Sequence, residues 1–157
     1  MNSLMKTMMV AGVALLFGAL GSTVQAASNS VSPGMQCWPK ATNGGYYLTH
    51  YSLFLVNEGQ TTVDVLCPVT RHNISNTTGT IAAWVRVRTN YNAPLACRFT
   101  AHGANGNIVA SQLATTTANA DVALNVDVNA SAVNGHYAIQ CSLPPGGRLY
   151  NYGIVEP

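Results

Sequence analysis

Apolar and polar residues alternate with a period of two over most of the chain after Gly45, and no segment has the apolar stripe of an amphipathic helix. Clusters of Gly, Asn and Pro end each alternating run at intervals of roughly 8–12 residues. The pattern predicts eight strands, which cover residues 46–56, 62–69, 80–88, 94–101, 107–112, 121–128, 136–143 and 149–155.

The alternation also gives each strand an inner and an outer side. In the strand at 80–88 the inner positions are apolar, whereas the outer positions hold Trp84, Arg86 and Arg88. One apolar side per strand is typical of antiparallel sheets. Two such sheets packed face to face bury a shared core, so the pattern predicts an all-β, antiparallel β-sandwich, with a closed β-barrel as the alternative.

The first 26 residues depart from this pattern and have the three-part layout of a secretory signal peptide. Lys6 precedes an apolar run at 8–20, and Val24 and Ala26 are the small residues that signal peptidase requires before its cleavage point. The run is too short for a membrane-spanning helix. We therefore expect cleavage near Ala26 and a secreted or periplasmic protein without a membrane span in its mature chain. The mature chain is expected to have an extended N-terminal arm at 27–45 and one sandwich domain at 46–157.

Charged residues are sparse, with seven Lys and Arg against five Asp and Glu in 157 residues. Binding of nucleic acid or of an anionic membrane requires clustered Lys and Arg, which the sequence lacks. A nucleic-acid partner is therefore not expected. Low charge also weakens repulsion between copies of the chain, which leaves self-association open.

Export makes the four cysteines candidates for two disulfide bonds. Three pairings are possible, and the sequence alone does not choose between them. Cys97 and Cys141 occupy apolar positions of two strands, which favours a buried bridge across the core. Cys37 lies in the arm and Cys67 at a strand end, so a bond between them would tie the arm to the sandwich. No CxxC spacing is present, and we expect structural disulfides and no metal site.

Several motifs are together similar to one protein family. They are CPV at 67–69, the mid-chain Cys97, YAIQCSLPP at 137–145 and YGIVE at 152–156. On these residues the chain resembles, over about 34–157, a family of small secreted all-β bacterial proteins of uncharacterised function. The resemblance implies the fold, the export and the structural cysteines, and it carries no catalytic motif.

Residues for catalysis are scattered along the sequence. It lacks HExxH, GxSxG and SxxK patterns, and its histidines lie far apart, at His50, His72, His102 and His136. One arrangement would favour a small secreted hydrolase or lyase: two histidines meeting Asp64, Asp121 or Asp127 in a cleft. Otherwise we expect no catalytic residue and no cofactor.

The outer side of the strand at 80–88 is the best candidate for a binding surface. Trp84 with Arg86 and Arg88 places a flat ring beside two cations, which suits a sugar acid or another protein. The structural alternative is that Trp84 packs beneath the arm or a loop.

The leading hypothesis is therefore a secreted, non-enzymatic sandwich that binds a ligand, with a glycan or an envelope protein as candidates, or that assembles with itself. Its rivals are a hydrolase or lyase with an unfamiliar site and a secreted inhibitor or effector. An exposed aromatic platform would favour ligand binding. A long unpaired edge strand would favour self-assembly.

Overall fold

The computed structural model describes residues 28–41, 47–71, 80–90, 92–128 and 134–156. The predicted signal peptide and His72 lie outside these ranges. Within them the chain forms a short 3-10 helix at Gly34–Gln36 and eleven strands: β1 Ser28–Pro33, β2 Trp38–Pro39, β3 Leu48–His50, β4 Leu55–Asn57, β5 Val63–Val69, β6 Ala82–Arg88, β7 Leu95–His102, β8 Ile108–Thr116, β9 Val122–Asn125, β10 His136–Leu143 and β11 Arg148–Glu156. None of the described residues belongs to a helix long and apolar enough to cross a membrane.

The strands form two antiparallel sheets. The first has the order β3–β4–β11–β6–β9. Its sixth strand, β1, pairs with residues 151–156 of β11, on the same edge of β11 whose residues 148–149 pair with β4. The second has the order β2–β5–β10–β7–β8. The predicted antiparallel β-sandwich is confirmed. The β-barrel alternative is wrong, because no pairing among the described strands joins the two sheets into one closed ladder.

The apolar positions chosen by the alternation form the core between the sheets. The side chains of the inner positions on β6, β7, β10 and β11 are almost completely buried, including Val85, Val87, Phe99, Ile139 and Leu149. Period-two alternation works here because successive side chains of a strand point to opposite sides of its sheet.

Two segments contain more strands than the alternation predicted. The predicted strand at 46–56 is in fact a pair of three-residue strands, β3 and β4, joined by a turn in which the Tyr51 amide donates to the Phe54 carbonyl at 2.9 Å. The turn is stabilised by the stacked rings of Tyr51 and Phe54, whose centroids are 4.8 Å apart. In the segment predicted as an arm, β1 pairs with β11 and β2 pairs with β5.

Both disulfide bonds have the favoured pairing, Cys37–Cys67 and Cys97–Cys141. The expectation that the second bond crosses the core is wrong. Cys97 and Cys141 are direct cross-strand partners on β7 and β10 of one sheet, with their Cα atoms 4.1 Å apart. Alternation shows which side a cysteine faces, but it does not show whether its partner lies on the same sheet or on the opposite one.

A buried ion pair holds the end of the chain. The Arg71 Nε donates to Glu156 Oε1 at 3.1 Å, and both side chains are nearly inaccessible to solvent. The Arg71 guanidinium also lies 4.7 Å from the ring centroid of Tyr137. The last strand of the first sheet is therefore attached to the chain that follows β5 of the second sheet.

Two buried tyrosines predict how stability depends on pH. Burial is the main factor that raises the pKa of Tyr137 and of Tyr152 to about 12, above the ordinary value of 10. The neutral phenol is favoured in the fold, so its contribution to stability is complete below pH 10 and is lost as the pH rises towards 12. We expect the free energy of unfolding, from urea titrations, to fall across this interval and to fall less steeply in Tyr152→Phe. Equal slopes for both proteins would contradict this.

Candidate functional site

The outer face of the first sheet carries all three residues that were predicted as a binding surface. In the register between β6 and β11, Trp84 lies opposite Gly153, and Arg88 lies opposite Arg148. Their neighbours in sequence, such as Val85 and Val87, point into the core, so the three side chains share one side of the sheet. The fold thus brings Trp84, Arg86 and Arg88 together, and their role in binding stays a prediction.

The Trp84 ring lies over its cross-strand partner Gly153, whose lack of a side chain leaves room for it. A Cβ atom on Gly153 would be 2.9 Å from Cζ2 of the Trp84 ring and would also collide with the Ser30 carbonyl oxygen of β1. The indole is partly exposed. Since β1 pairs with β11 within the plane of the sheet, the backbone of β1 does not lie over the ring.

An irregularity in β11 lies next to a groove on the same face of the sheet. The register of β11 against β6 shifts between Leu149 and Asn151, which inserts Tyr150 as an extra residue in the strand. The groove next to it has a volume of about 470 Å³. It is lined by apolar residues of β1 and the β3–β4 turn and by polar residues of the sheet: Val31, Pro33, Leu53, Arg86, Asp121, Tyr150 and Asn151.

Aromatic rings form one end of this face. Phe54 stacks on Tyr51 and lies 5.6 Å from the ring centroid of Tyr150. The Tyr51 hydroxyl donates to Glu58 Oε1 at 3.1 Å, and this hydrogen bond raises the pKa of Tyr51. The other carboxylate oxygen of Glu58 accepts a hydrogen bond from the Thr49 hydroxyl at 2.6 Å.

The arginines of this face differ in their partners. Arg86 Nη2 lies 3.7 Å from Asp121 Oδ2 in an exposed ion pair. Arg88 and Arg148 lie opposite each other, and the Nε atom of each is buried without a hydrogen-bond partner among the described residues. The Oδ1 atom of Asn151 is buried and unpaired in the same sense.

The outer face of the second sheet holds a second exposed tryptophan, which the sequence did not single out. A straight row of cross-strand partners runs over all five strands: Trp38, Leu66, Gln140, Arg98 and Leu113. Trp38 is 50% exposed, and a shallow hollow of about 590 Å³ lies on this side. Its position was missed because the two-residue strand β2 is too short to show alternation.

The described histidines do not form the arrangement that would favour a hydrolase or lyase. His102 and His136 stack on the second sheet with ring centroids 4.5 Å apart, and the hollow that they line contains none of the three aspartates. His50 Nδ1 instead lies 2.9 Å from the Met35 carbonyl oxygen. Over the described ranges no three His, Cys, Asp or Glu side chains come together as metal ligands.

Asp64 and Asp121 have other partners. Asp64 accepts a hydrogen bond from the Ser142 hydroxyl at 2.6 Å, and Asp121 pairs with Arg86.

The sequence matches no protein-family model and no curated protein. Among solved structures, a family 35 carbohydrate-binding module (CBM35) from Cellvibrio japonicus Abf62 is similar, with a TM-score of 0.51 and 14% identity over 82% of this chain and 94% of that chain. A family 35 module from Clostridium thermocellum has a TM-score of 0.48 and 17% identity over 82% and 98% of the two chains. The C-terminal CBM6 of LamC from Zobellia galactanivorans has a TM-score of 0.47 and 11% identity over 82% and 100%. At such identities the likeness to the Cellvibrio module shows a shared β-sandwich fold alone.

The contact between Trp84 and Gly153 predicts a strong coupling between these positions. Gly153→Ala is expected to destabilise the protein by about 1–3 kcal/mol, because the added methyl group forces the ring and β1 away from β11. In a Trp84→Ala background the same change should cost less, because the ring is gone and only the contact with Ser30 remains. Urea unfolding of the two single variants and the double variant gives this coupling. Strictly additive effects would show that the ring does not rest on Gly153.

Proposed function

We propose that the protein is exported and binds a carbohydrate on the outer face of its first sheet, without catalysing a reaction. The observation that carries this proposal is the partly exposed Trp84 ring, which lies over Gly153 on the same face of the sheet as a groove lined by both apolar and polar side chains. An aromatic face provides a large, rigid, apolar surface for the C–H side of a sugar ring. The signal-like segment at 1–26 supports the export part of the proposal.

The groove has the size and chemistry of a small-ligand site. Its volume of about 470 Å³ falls within the usual range of about 300–1,000 Å³ for such sites. Arg86 provides donors and Asp121 provides acceptors, which matches the mixed character of sugar hydroxyl groups. The shared sandwich fold of the Cellvibrio carbohydrate-binding module agrees with this proposal.

Binding measurements on tryptophan variants test the proposal. A glycan array with the exported, oxidised protein identifies a ligand, and calorimetry then compares variants. Trp84→Ala should weaken binding at least tenfold, because stacking of a ring on an aromatic side chain is lost, whereas Trp84→Phe should keep most of the affinity. Trp38→Ala is the matched control on the other sheet and should bind normally. Loss of binding in Trp38→Ala with full binding in Trp84→Ala would show that this site assignment is wrong.

A second candidate function, self-association, is favoured by the edge strand β8. This strand has nine residues and pairs only with β7 among the described strands. It contains no charged residue, proline or glycine, and Ile108 and Leu113 are 65% and 51% exposed. Natural edge strands usually carry charged residues or proline as protection against pairing with another chain. The neutral edge of β8 therefore suits antiparallel pairing with β8 of a second copy.

Sedimentation equilibrium tests this second candidate. The exported protein should show a concentration-dependent dimer, and Thr115→Lys should shift it to the monomer because a lysine on an edge strand opposes pairing with another chain. The cross-strand neighbour of Thr115 is Ala96, so the change should leave the melting temperature of the monomer unchanged. Asn125→Lys adds the same charge to β9 and should not affect the dimer. A monomer at all concentrations, or equal effects of both lysines, would contradict pairing through β8.

A further inference from the structure

We propose that Arg88 and Arg148 together bind an anionic group, a carboxylate or a sulfate, of the ligand. This inference rests on the proposed carbohydrate-binding function and specifies the ligand as an acidic glycan. The two residues are direct cross-strand partners on β6 and β11, and both lie on the outer face that also carries Trp84.

The opposed arginines are unfavourable to the protein on its own. Cβ atoms of direct partners in an antiparallel pair are about 4.5–5.5 Å apart, and like charges at such positions destabilise a sheet. A negative group placed between the two guanidinium groups would turn this repulsion into attraction.

The nearby carboxylates have other partners. Glu58 accepts hydrogen bonds from Thr49 and Tyr51, and Asp121 pairs with Arg86. Both remaining cations of this face, Arg88 and Arg148, therefore lack a carboxylate partner among the described residues. The protein has only five Asp and Glu residues in all, so an acid from a ligand is the natural counter-charge.

The hydrogen-bonding groups point to the same ligand chemistry. The Nε atoms of Arg88 and Arg148 are buried donors without an acceptor in the described part of the chain. Buried donors without a protein partner are uncommon in folded proteins, and a bound ion is one of the acceptors that they can take. The nitrogens of a guanidinium group form a planar fork that fits two oxygens of a carboxylate or sulfate.

The arginine pair lies next to the groove rather than apart from it. Tyr150, the inserted residue of β11, stands between Arg148 and Asn151 in the sequence and lines the groove together with Asn151. The Arg148 guanidinium lies 5.9 Å from the ring centroid of Phe54, which in turn contacts Tyr150. An acidic substituent of a sugar bound in the groove would therefore lie on the side of the sheet that carries the two arginines.

Calorimetry with matched oligosaccharides tests the inference. The probes are trigalacturonate, the neutral galactotriose and a sulfated galactose trimer, at equal ionic strength. We expect Arg88→Gln and Arg148→Gln each to weaken binding of an acidic probe at least tenfold, and added NaCl to weaken it in the unaltered protein. Arg98→Gln removes the same charge from the second sheet and should bind normally. The acidic probe that binds more tightly identifies carboxylate or sulfate as the group.

A purely structural role for the arginines predicts a different result. If the arginines only stabilise the fold, Arg148→Gln lowers the melting temperature of the protein without ligand. If the two arginines repel each other, the same change leaves this melting temperature equal or higher.

The binding measurements give further outcomes. Equal binding of neutral and acidic probes, no loss of binding in either arginine variant, or no binding of any probe would overturn the inference. Binding of the neutral probe that depends on Trp84 but not on the arginines would overturn it while leaving the proposed function intact. Arginine-dependent binding that is insensitive to Trp84→Ala would instead support the anion site and contradict the carbohydrate platform.

Discussion

The antiparallel register between β6 and β11 is the constraint on which the rest of the structure depends. It places the core residues of both strands on one side of the first sheet, and β1, β4 and β9 are positioned by pairing with one of these two strands. The same register sets Trp84 on Gly153 and Arg88 against Arg148. A slip of one residue would exchange the core side with the outer side, so the core and the candidate site are determined together.

The few charged side chains of the protein differ in whether they have a partner within the protein. Glu156 is buried with Arg71, and Asp64 and Glu58 are hydrogen-bonded by hydroxyl groups. These contacts stabilise the fold locally. The outer face of the first sheet, in contrast, keeps two arginines whose Nε atoms have no protein partner within the described ranges. This contrast separates charges that are paired within the protein from charges that are not.

Much of the fold could be predicted from the sequence because alternation is a local property. It gave the strands and the outward direction of Trp84, Arg86 and Arg88, and it favoured the correct cysteine pairs. Contacts that depend on which strands become neighbours could not be predicted. The placement of Cys97 beside Cys141 within one sheet, the position of Arg148 opposite Arg88 and the extra residue Tyr150 all depend on sheet order and register. Strand β2 has only two residues and is too short for a periodic signal, so the position of its Trp38 on the outer face of the second sheet could not be predicted.

The two tryptophans lie on opposite sheets, which allows one measurement to test the central claim that the outer face of the first sheet binds an acidic glycan. In a nitrogen-proton correlation spectrum of the labelled, oxidised protein each indole gives its own N–H signal, which single Trp→Phe variants assign. Titration with trigalacturonate should shift the Trp84 indole signal and the Asn151 amide signal while the Trp38 indole signal stays in place. Shifts confined to Trp38 and Gln140 would contradict the account, because the ligand would then lie on the second sheet.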